Sequence, residues 1–233
     1  IEGVEPKDTY RHHMAKLRQR CEALNKLDLK ALRYTCENGT DLLLELPEGH
    51  IWLGGEESSK DGTIFNANIP TEEVFSAPQY NGVNGIVYST KPLIYHGNTI
   101  SDFSFTFKEG KIIEYTAKEG YEVLKELVET DEGSHYLGEV ALVDHFSPIS
   151  QSNQIFYETL FDENASCHLA IGASYPTCLK DSDGLSDEEL KERGLNHSLT
   201  HVDFMIGHER MNIKGYTRDG QEVDIMIDGR LQV

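Results

Sequence analysis

The sequence predicts an α+β fold built on a large, mainly antiparallel, curved β-sheet with flanking helices. Three observations lead to this prediction: one long amphipathic segment opens the chain, short apolar segments separated by turn sequences follow it, and no regular βαβ alternation is present. Hydrophobic residues make up 38% of the 233 residues, which is enough apolar material for a core despite the acidic composition.

The first predicted element is an amphipathic helix over residues 7–27. Its apolar side chains recur every three or four positions, which places them on one face of a helix. Asp8 is the predicted N-cap, because a short acidic side chain can accept a hydrogen bond from the first backbone N–H groups. The apolar positions are Met14, Leu17, Cys21, Leu24 and Leu27.

Short strands joined by turns are predicted next, because the segments are rich in Leu, Ile, Tyr, Trp and Phe and are separated by Gly-containing turns. Phe103, Phe105 and Phe107 alternate as in a strand, and Glu109-Gly110 predicts a hairpin turn after them. The predicted strands cover residues 31–36, 41–46, 50–54, 85–89, 103–108 and 111–116.

The second half of the chain mixes helices and strands. A helix is predicted over 119–129 and a strand over 136–143. Ser186 and Glu189 form a capping box that opens a short helix, which ends at Gly194. Two hairpin turns are predicted near the end of the chain, at Asp219-Gly220 and Asp228-Gly229.

Charge and cysteine usage exclude several functions. With 21 basic and 40 acidic residues the net charge is −19, so the chain lacks the basic patch that nucleic acid or an anionic membrane surface requires. No apolar run approaches the roughly 18 residues of a membrane span, and no leader of secretory type is present. The four cysteines form no CxxC pair. We therefore expect a cytoplasmic protein with reduced thiols and no nucleic-acid or membrane partner.

The segment from Thr200 to Gly207 contains the first candidate site. Alternate side chains of a strand share a face, so His201 and Asp203 point the same way. An imidazole and a carboxylate on one face are half of a divalent-metal site. A buried histidine paired to a carboxylate for structural reasons explains the same pattern, and the sequence leaves both interpretations open.

Carboxylates in apolar surroundings give two further candidates. Glu139 is the single carboxylate of the segment 137–143, where burial is costly unless a metal or a salt-bridge partner compensates it. Glu72 and Glu73 lead into Val74 and Phe75. Considered alone, adjacent acids at this point favour the start of a helix over residues 70–75.

Residues 160–175 form the fourth candidate, with His168 and Tyr175 seven positions apart. This spacing puts them on one side of a helix but on opposite faces of an unbroken strand, and Gly172 between them disturbs either geometry. A histidine satisfied within the core is the alternative explanation for His168.

Together the four segments predict a two-metal site. Two divalent ions held by carboxylates and imidazoles around a bridging carboxylate and a water are a standard means of hydrolysing an amide without a protein nucleophile. The sequence supplies a sufficient set of nitrogen and oxygen donors without a cysteine: Glu73, Glu139, His168, His201 and Asp203.

Six strings in order along the chain resemble the M29 metallo-aminopeptidases, the group that contains aminopeptidase T, AmpS and PepS. The strings are long and unusual, so the resemblance is specific. They are PTEEVFSAP (70–78), STKPL (89–93), LGEVALV (137–143), SPIS (147–150), TLFDENASCHLAIGASYP (159–176) and LTHVDFMIG (199–207).

The resemblance implies removal of N-terminal residues from peptides by an enzyme with two divalent ions: zinc, cobalt or manganese. The metal-ligand pattern of the family falls on Glu73, Glu139, His168, Tyr175, His201 and Asp203. We expect Glu139 to be the bridging ligand and Glu72 to be the general base that takes a proton from the attacking water. Glu163, five residues before His168, is a second candidate for ligand or base. Tyr175 either binds a metal or hydrogen-bonds the developing oxyanion.

The resemblance covers residues 1–233 as the C-terminal, catalytic half of a longer aminopeptidase. Family members carry a further N-terminal α/β domain of comparable size, which fits a chain that begins at Ile1 rather than Met. A homodimer is expected on the same ground. The alternative is that this half alone is a metal-binding and dimerisation domain that is inactive without its N-terminal domain, because removing one wall of an active site loses substrate positioning and water exclusion.

Overall fold

In the computed structural model, which describes residues 5–67 and 71–233, a long helix and two antiparallel sheets surround a common core. The helices are α1 (Pro6–Leu27), α2 (Tyr121–Val128), α3 (Pro148–Gln151), α4 (Thr159–Asp162) and α5 (Asp187–Glu192). The strands are β1 (Leu29–Thr35), β2 (Asp41–Glu45), β3 (Glu57–Ser58), β4 (Ile64–Phe65), β5 (Val74–Ser76), β6 (Val83–Tyr88), β7 (Leu93–Tyr95), β8 (Asn98–Ile100), β9 (Ser104–Lys108), β10 (Lys111–Thr116), β11 (Leu137–Leu142), β12 (His168–Gly172), β13 (His201–Met205), β14 (Asn212–Thr217), β15 (Glu222–Ile227) and β16 (Arg230–Leu231).

Eight strands form a large sheet in the order β10-β9-β6-β2-β1-β14-β15-β16, and four form a small sheet in the order β13-β12-β11-β5. The pairs β3-β4 and β7-β8 each form a separate two-stranded sheet. Neighbouring strands in both sheets are antiparallel. The α+β class and the antiparallel pairing are therefore confirmed. The candidate metal ligands belong to the small sheet rather than to the large one, a division that the local sequence pattern does not reveal.

Aromatic contacts join the two sheets. The ring of Phe204 in β13 lies 5.1 Å from that of Phe105 in β9 and 5.9 Å from that of Phe103, measured between centroids. Leu17 and Leu24 of α1 are fully buried in the same core. Because side chains alternate along β13, the face that carries Phe204 packs inward and the face that carries His201 and Asp203 points away from this core.

The first helix is confirmed, but its predicted N-cap is wrong. The helix starts at Pro6, whose ring fixes a helical φ at a position where the missing N–H costs nothing. Glu5 is the N-cap residue and makes no side-chain cap. Asp8 lies within the first turn, where its carboxylate is 3.5 Å from the guanidinium of Arg11.

The predicted strand over 50–54 is absent. His50 and Leu53 make isolated bridges to two different partners, Leu179 and Phe75. Between them, the backbone N–H of Trp52 donates to the side chain of Asn25 (2.8 Å). The segment therefore satisfies its backbone with several neighbours, and no ladder forms.

Turn chemistry predicts local structure well elsewhere. Glu109 and Gly110 both have positive φ and join β9 to β10, as the hairpin prediction requires. The capping box of Ser186 and Glu189 is present at the start of α5. None of the helices within 5–67 and 71–233 combines the length and apolar composition needed to cross a membrane.

Candidate metal centre

The small sheet places its polar side chains in adjacent rows. Glu139 in β11 and Asp203 in β13 both stand opposite Ala170 of β12, one on each side. His201 stands opposite Gly172, and His168 is the first residue of β12. These residues share the face that points away from the core, so the sheet itself gathers the candidate ligands.

Gly172 allows β12 and β13 to meet at this point. Its φ is +106°, and a Cβ there would collide with the carbonyl oxygen of Thr200, the residue before His201. Only glycine adopts this conformation beside such a close backbone neighbour without strain. The approach fixes the start of β13 and with it the position of His201.

Glu73 joins the cluster from the residue immediately before β5. The predicted helix start is wrong, because Val74–Ser76 instead pairs with β11. Pro70, the first residue of that predicted helix, lies outside the described residues. The carboxylate Oε2 of Glu73 lies 3.1 Å from Nε2 of His168, whose Nε2 is also 3.4 Å from Oε1 of Glu139.

Glu139 lies between the two imidazoles. While its Oε1 faces His168, its Oε2 lies 3.6 Å from Nε2 of His201. The same nitrogen is 3.6 Å from Oδ1 of Asp203. One carboxylate thus presents a separate oxygen to each histidine.

Backbone carbonyls orient both imidazoles. Nδ1 of His168 donates to the carbonyl oxygen of Ser166 (3.0 Å), and Nδ1 of His201 donates to that of Ala173 (2.7 Å). A carbonyl only accepts, so each Nδ1 carries a proton and each Nε2 is directed at the carboxylates. Metal-binding histidines are oriented in this way.

Glu163, the second candidate for ligand or base, lies in the core of the cluster. It begins a 3-10 turn, Glu163–Ala165, and is buried. It forms a third group with His168 and Asp203, in which the potential ligand atoms all lie within 4.8 Å of one another. Burial, and then the charges of Glu73 and Asp203, raise its pKa to about 9.

The carboxylates of the cluster lie close together, and their charges shift the pKa values of one another and of the two histidines. Burial raises the pKa of Glu139, and Asp203 and Glu73 add to the effect. Burial lowers the pKa of His201, but Asp203 and Glu139 outweigh it and raise that pKa to about 9. Burial likewise opposes protonation of His168, yet the adjacent carboxylates of Glu139 and Glu73 hold its pKa well above the ordinary value. The cluster therefore attracts positive charge.

Three buried polar atoms identify what the cluster lacks. Glu73 Oε2, His168 Nε2 and Asp203 Oδ1 have no hydrogen-bond partner within the part of the chain that the structure describes. Leaving such atoms unsatisfied is costly, and a divalent cation would satisfy all three. The donors are imidazole nitrogens and carboxylate oxygens, a set that suits zinc, cobalt or manganese. The residues present therefore fit a divalent metal.

Cys167 is directed away from this cluster. Its Sγ exchanges hydrogen bonds with the backbone N–H and carbonyl of Val143 at 3.3 and 3.2 Å. Burial raises the pKa of its thiol to about 11, so it stays protonated. The expectation of a donor set without cysteine agrees with this placement.

Tyr175 borders the cluster and is 48% exposed. Its ring centroid lies 4.8 Å from that of His201 and 6.2 Å from that of Phe75. Burial of part of the side chain, followed by the charges of Glu139 and Asp203, raises the pKa of the phenol to about 12. The hydroxyl thus lies in the field of the carboxylates and remains a proton donor at neutral pH.

Glu72 occupies different surroundings from its neighbour Glu73. Its carboxylate Oε2 lies 3.7 Å from Nε2 of His13 in α1, and its backbone N–H donates to Oδ1 of Asn164 (2.9 Å). Burial raises its pKa, while His13 and Arg20 oppose the increase. Among the described residues, none of the three potential metal-binding groups includes Glu72.

The three groups together contain six residues, and the sequence patterns predict each of them as a site residue: Glu73, Glu139, Glu163, His168, His201 and Asp203. The sequence does not predict the backbone groups that orient the two histidines. The carbonyls of Ser166 and Ala173 hold the two imidazoles, and backbone carbonyls leave no signature in a sequence.

Comparison with known proteins identifies the family of the chain. The sequence profile of the family described as "Thermophilic metalloprotease (M29)" matches residues 1–231. The chain is 53% identical to aminopeptidase AmpS of Bacillus subtilis strain 168 over 224 residues, and 50% identical to aminopeptidase 2 of Geobacillus stearothermophilus over 229 residues. These matches cover 96% and 98% of the chain and 54% and 55% of the relatives.

A solved structure shows the same fold. Wild-type AmpT from Thermus thermophilus superimposes with a TM-score of 0.92 at 40% sequence identity, over 98% of this chain and 56% of that one. The chain thus spans about half the length of the relatives it matches. On the match over residues 1–231 and these identities, the chain belongs to the M29 family of metallopeptidases.

Proposed function

We propose that this chain carries the metal centre of an aminopeptidase, which removes N-terminal residues from peptides by hydrolysis. The observation that carries the proposal is the position of Glu139, whose two oxygens face the two imidazoles. Beside it lie three buried atoms, on Glu73, His168 and Asp203, for which the described residues supply no hydrogen-bond partner. The names of the relatives, which are aminopeptidases, support the substrate class.

The donor set divides into two metal sites that share Glu139. One Nε2 binds one ion, so the two groups that contain His168 describe a single site, made by His168, Glu73 and Glu163 with Glu139 and Asp203. Asp203 is therefore available to both sites. The group with His201 and Asp203 describes the second site. When bound, two divalent ions (zinc, cobalt or manganese) would polarise the peptide carbonyl and lower the pKa of the attacking water.

The remaining residues handle protons and orientation. We propose Glu72 as the general base, since it adjoins the ligand Glu73 in sequence and is held at its backbone by Asn164. Glu163, which lies among the ligands, is the competing candidate for this role. The phenol of Tyr175 is placed to hydrogen-bond the developing oxyanion or to act as a further ligand.

For the complete protein we propose a cytoplasmic homodimer in which an N-terminal α/β domain adds a second wall to the active site. The length of the relatives supports the additional domain. In the chain alone, the half-exposed Tyr175 leaves the cluster open beside His201. This observation favours the second candidate function, a metal-binding and dimerisation domain that is inactive by itself.

One assay separates the two functions. A chromogenic aminoacyl amide is offered with zinc, cobalt or manganese to the 233-residue chain and to the complete protein. We expect the complete protein to release the chromophore only with a divalent metal. Activity of the chain alone would reject the inactive-domain alternative. A complete protein that binds metal but hydrolyses no aminoacyl amide would contradict the aminopeptidase proposal.

A further inference from the structure

A cavity of about 250 Å³ lies beside the metal centre, at the end of β12. Its walls come from the segment after β12, from the segment before β13 and from α5. Apolar side chains provide much of the lining, namely Ala173, Pro176, Leu190 and Leu195. The last two are nearly completely buried in a small satellite core.

The cavity and the metal centre share one wall. Ala173 lines the cavity, and its carbonyl oxygen accepts the hydrogen bond of His201 Nδ1 (2.7 Å). Tyr175 stands between two lining residues, Ser174 and Pro176, while its own ring packs on His201. A ligand in the cavity therefore lies next to any group held at the metal centre.

Hydrogen bonds within the protein hold the wall of the cavity that residues 196–198 form. Asn196, which is buried, donates from Nδ2 to the carbonyls of Gly133 and Gly172 at 2.7 Å each. Asp131 accepts hydrogen bonds from Ser198 Oγ (2.8 Å) and from the N–H of Leu199 (2.6 Å). Because these polar groups are satisfied within the protein, they are not free to bind a ligand, and the apolar side chains are left to select it.

One charged pair stands at the cavity. The carboxylate of Asp187 lies 3.3 Å from Nδ1 of His197, and both side chains are more than half exposed. The carboxylate of Asp187 places a negative charge beside the cavity. The α-ammonium group of a peptide belongs to its first residue alone, and such a charge attracts it.

We propose that this cavity receives the side chain of the first residue of the peptide and favours a large apolar side chain over a small one. The proposal rests on the proposed aminopeptidase function, because it assumes that the first peptide bond reaches the metal centre. Leu190 and Leu195 select the side chain by apolar contact, and Asp187 attracts the neighbouring ammonium. Apolar pockets of this kind discriminate by roughly 10-fold to 200-fold.

The first test measures binding without turnover. L-leucinol and L-alaninol carry the same ammonium group, differ in side chain and contain no bond for the enzyme to hydrolyse. They are titrated into the zinc-loaded 233-residue chain while NMR follows the backbone amides of Ser174 and Asn196. We expect both amides to shift, with a Kd for leucinol about tenfold lower than for alaninol. Equal Kd values, or shifts only elsewhere, would overturn the proposal.

Two opposite substitutions at one position sharpen the test. Leu190→Phe narrows the cavity at its apolar wall and should reduce the preference for leucinol, whereas Leu190→Ala enlarges it and should weaken leucinol binding about tenfold. Leu43→Phe and Leu43→Ala in the large sheet are the matched controls and should leave both Kd values unchanged. Zinc content and circular dichroism show whether each variant is folded. A folded Leu190→Phe variant with an unchanged preference for leucinol would reject the assignment.

Turnover by the complete protein then separates the first residue from the second. Leucyl and alanyl p-nitroanilides vary the first residue, and the dipeptides Ala-Leu and Ala-Ala vary the second. Leu190→Phe should reduce kcat/KM for the leucyl substrate about tenfold relative to the alanyl one and leave the dipeptide ratio unchanged. A change confined to the dipeptides would overturn the proposal. Absence of all turnover would instead refute the proposed function, while leucinol binding would still decide the occupant of the cavity.

Discussion

Two clusters of acidic residues in this chain contain the same residue types and differ in burial. On the large sheet, Glu222 and Asp224 place carboxylate oxygens 3.0 and 2.7 Å from Nζ of Lys214, and all three side chains are exposed. At the small sheet, four buried carboxylates lie beside two histidines. The exposed acids are solvated and have their own cation. The buried ones are shielded from solvent and share only two imidazoles among four carboxylates, which is why the small sheet and not the large one is the candidate metal centre.

The largest effect is expected at the centre of the buried cluster. Glu139→Gln removes the charge that both proposed metal sites share, so metal content should fall for both ions. Loss of the metals removes several kcal/mol of transition-state stabilisation, and kcat/KM of the complete protein should fall by at least about 1000-fold. Elemental analysis and an aminoacyl amide assay measure the two quantities. Glu222→Gln in the exposed cluster is the matched control and should change neither.

The next substitutions separate a ligand from a base. Glu163→Gln should lower metal content, because the carboxylate belongs to the cluster. Glu72→Gln should keep metal content and lower kcat by about 100-fold to 10,000-fold, as expected for loss of a general base. Near-normal turnover of Glu72→Gln would refute that role. Full metal content with little turnover in Glu163→Gln would transfer the role of base to Glu163.

Tyr175→Phe tests the open side of the buried cluster. Loss of a donor to the oxyanion should lower kcat by about 100-fold with unchanged metal content. If the variant loses metal, Tyr175 is a ligand and the oxyanion role is excluded. Elemental analysis of the purified variant together with its kcat distinguishes these results.

The smallest effect is expected on the large sheet. Lys214→Met removes the cation of the exposed cluster but leaves Glu222 and Asp224 in water, so Tm should change little and metal should not bind there. Differential scanning fluorimetry with and without zinc measures both. A zinc-dependent rise in Tm that depends on Glu222 would contradict the contrast between the clusters.

Local chemistry made much of the fold predictable. The hairpin at Glu109-Gly110 and the capping box at Ser186 depend on neighbours within a few residues, and both are present. The segment 50–54 has the composition of a strand, yet its backbone finds scattered partners that the local sequence does not contain. The division into two sheets is likewise set by long-range pairing, which strand composition does not encode.

The sequence predicts which residues belong to the candidate site, but it does not predict which way their side chains point. Alternation along β13 is enough to predict that His201 and Asp203 share one face of the strand. Glu72 and Glu73 are chemically identical neighbours, and only the pairing of β5 with β11 determines which of them reaches His168. The sequence pattern indicates Glu163 only weakly, because Glu163 reaches the cluster from a 3-10 turn and the alternation of a strand does not apply to it.

The central claim is that the buried cluster holds two divalent ions around Glu139. The most direct measurement is calorimetric titration of the metal-stripped 233-residue chain with zinc near neutral pH. The account predicts two equivalents of zinc for the chain, and fewer than one for Glu139→Gln, with the Glu222→Gln control unchanged. A chain that binds no zinc, or a Glu139→Gln variant that still binds two equivalents, would contradict it.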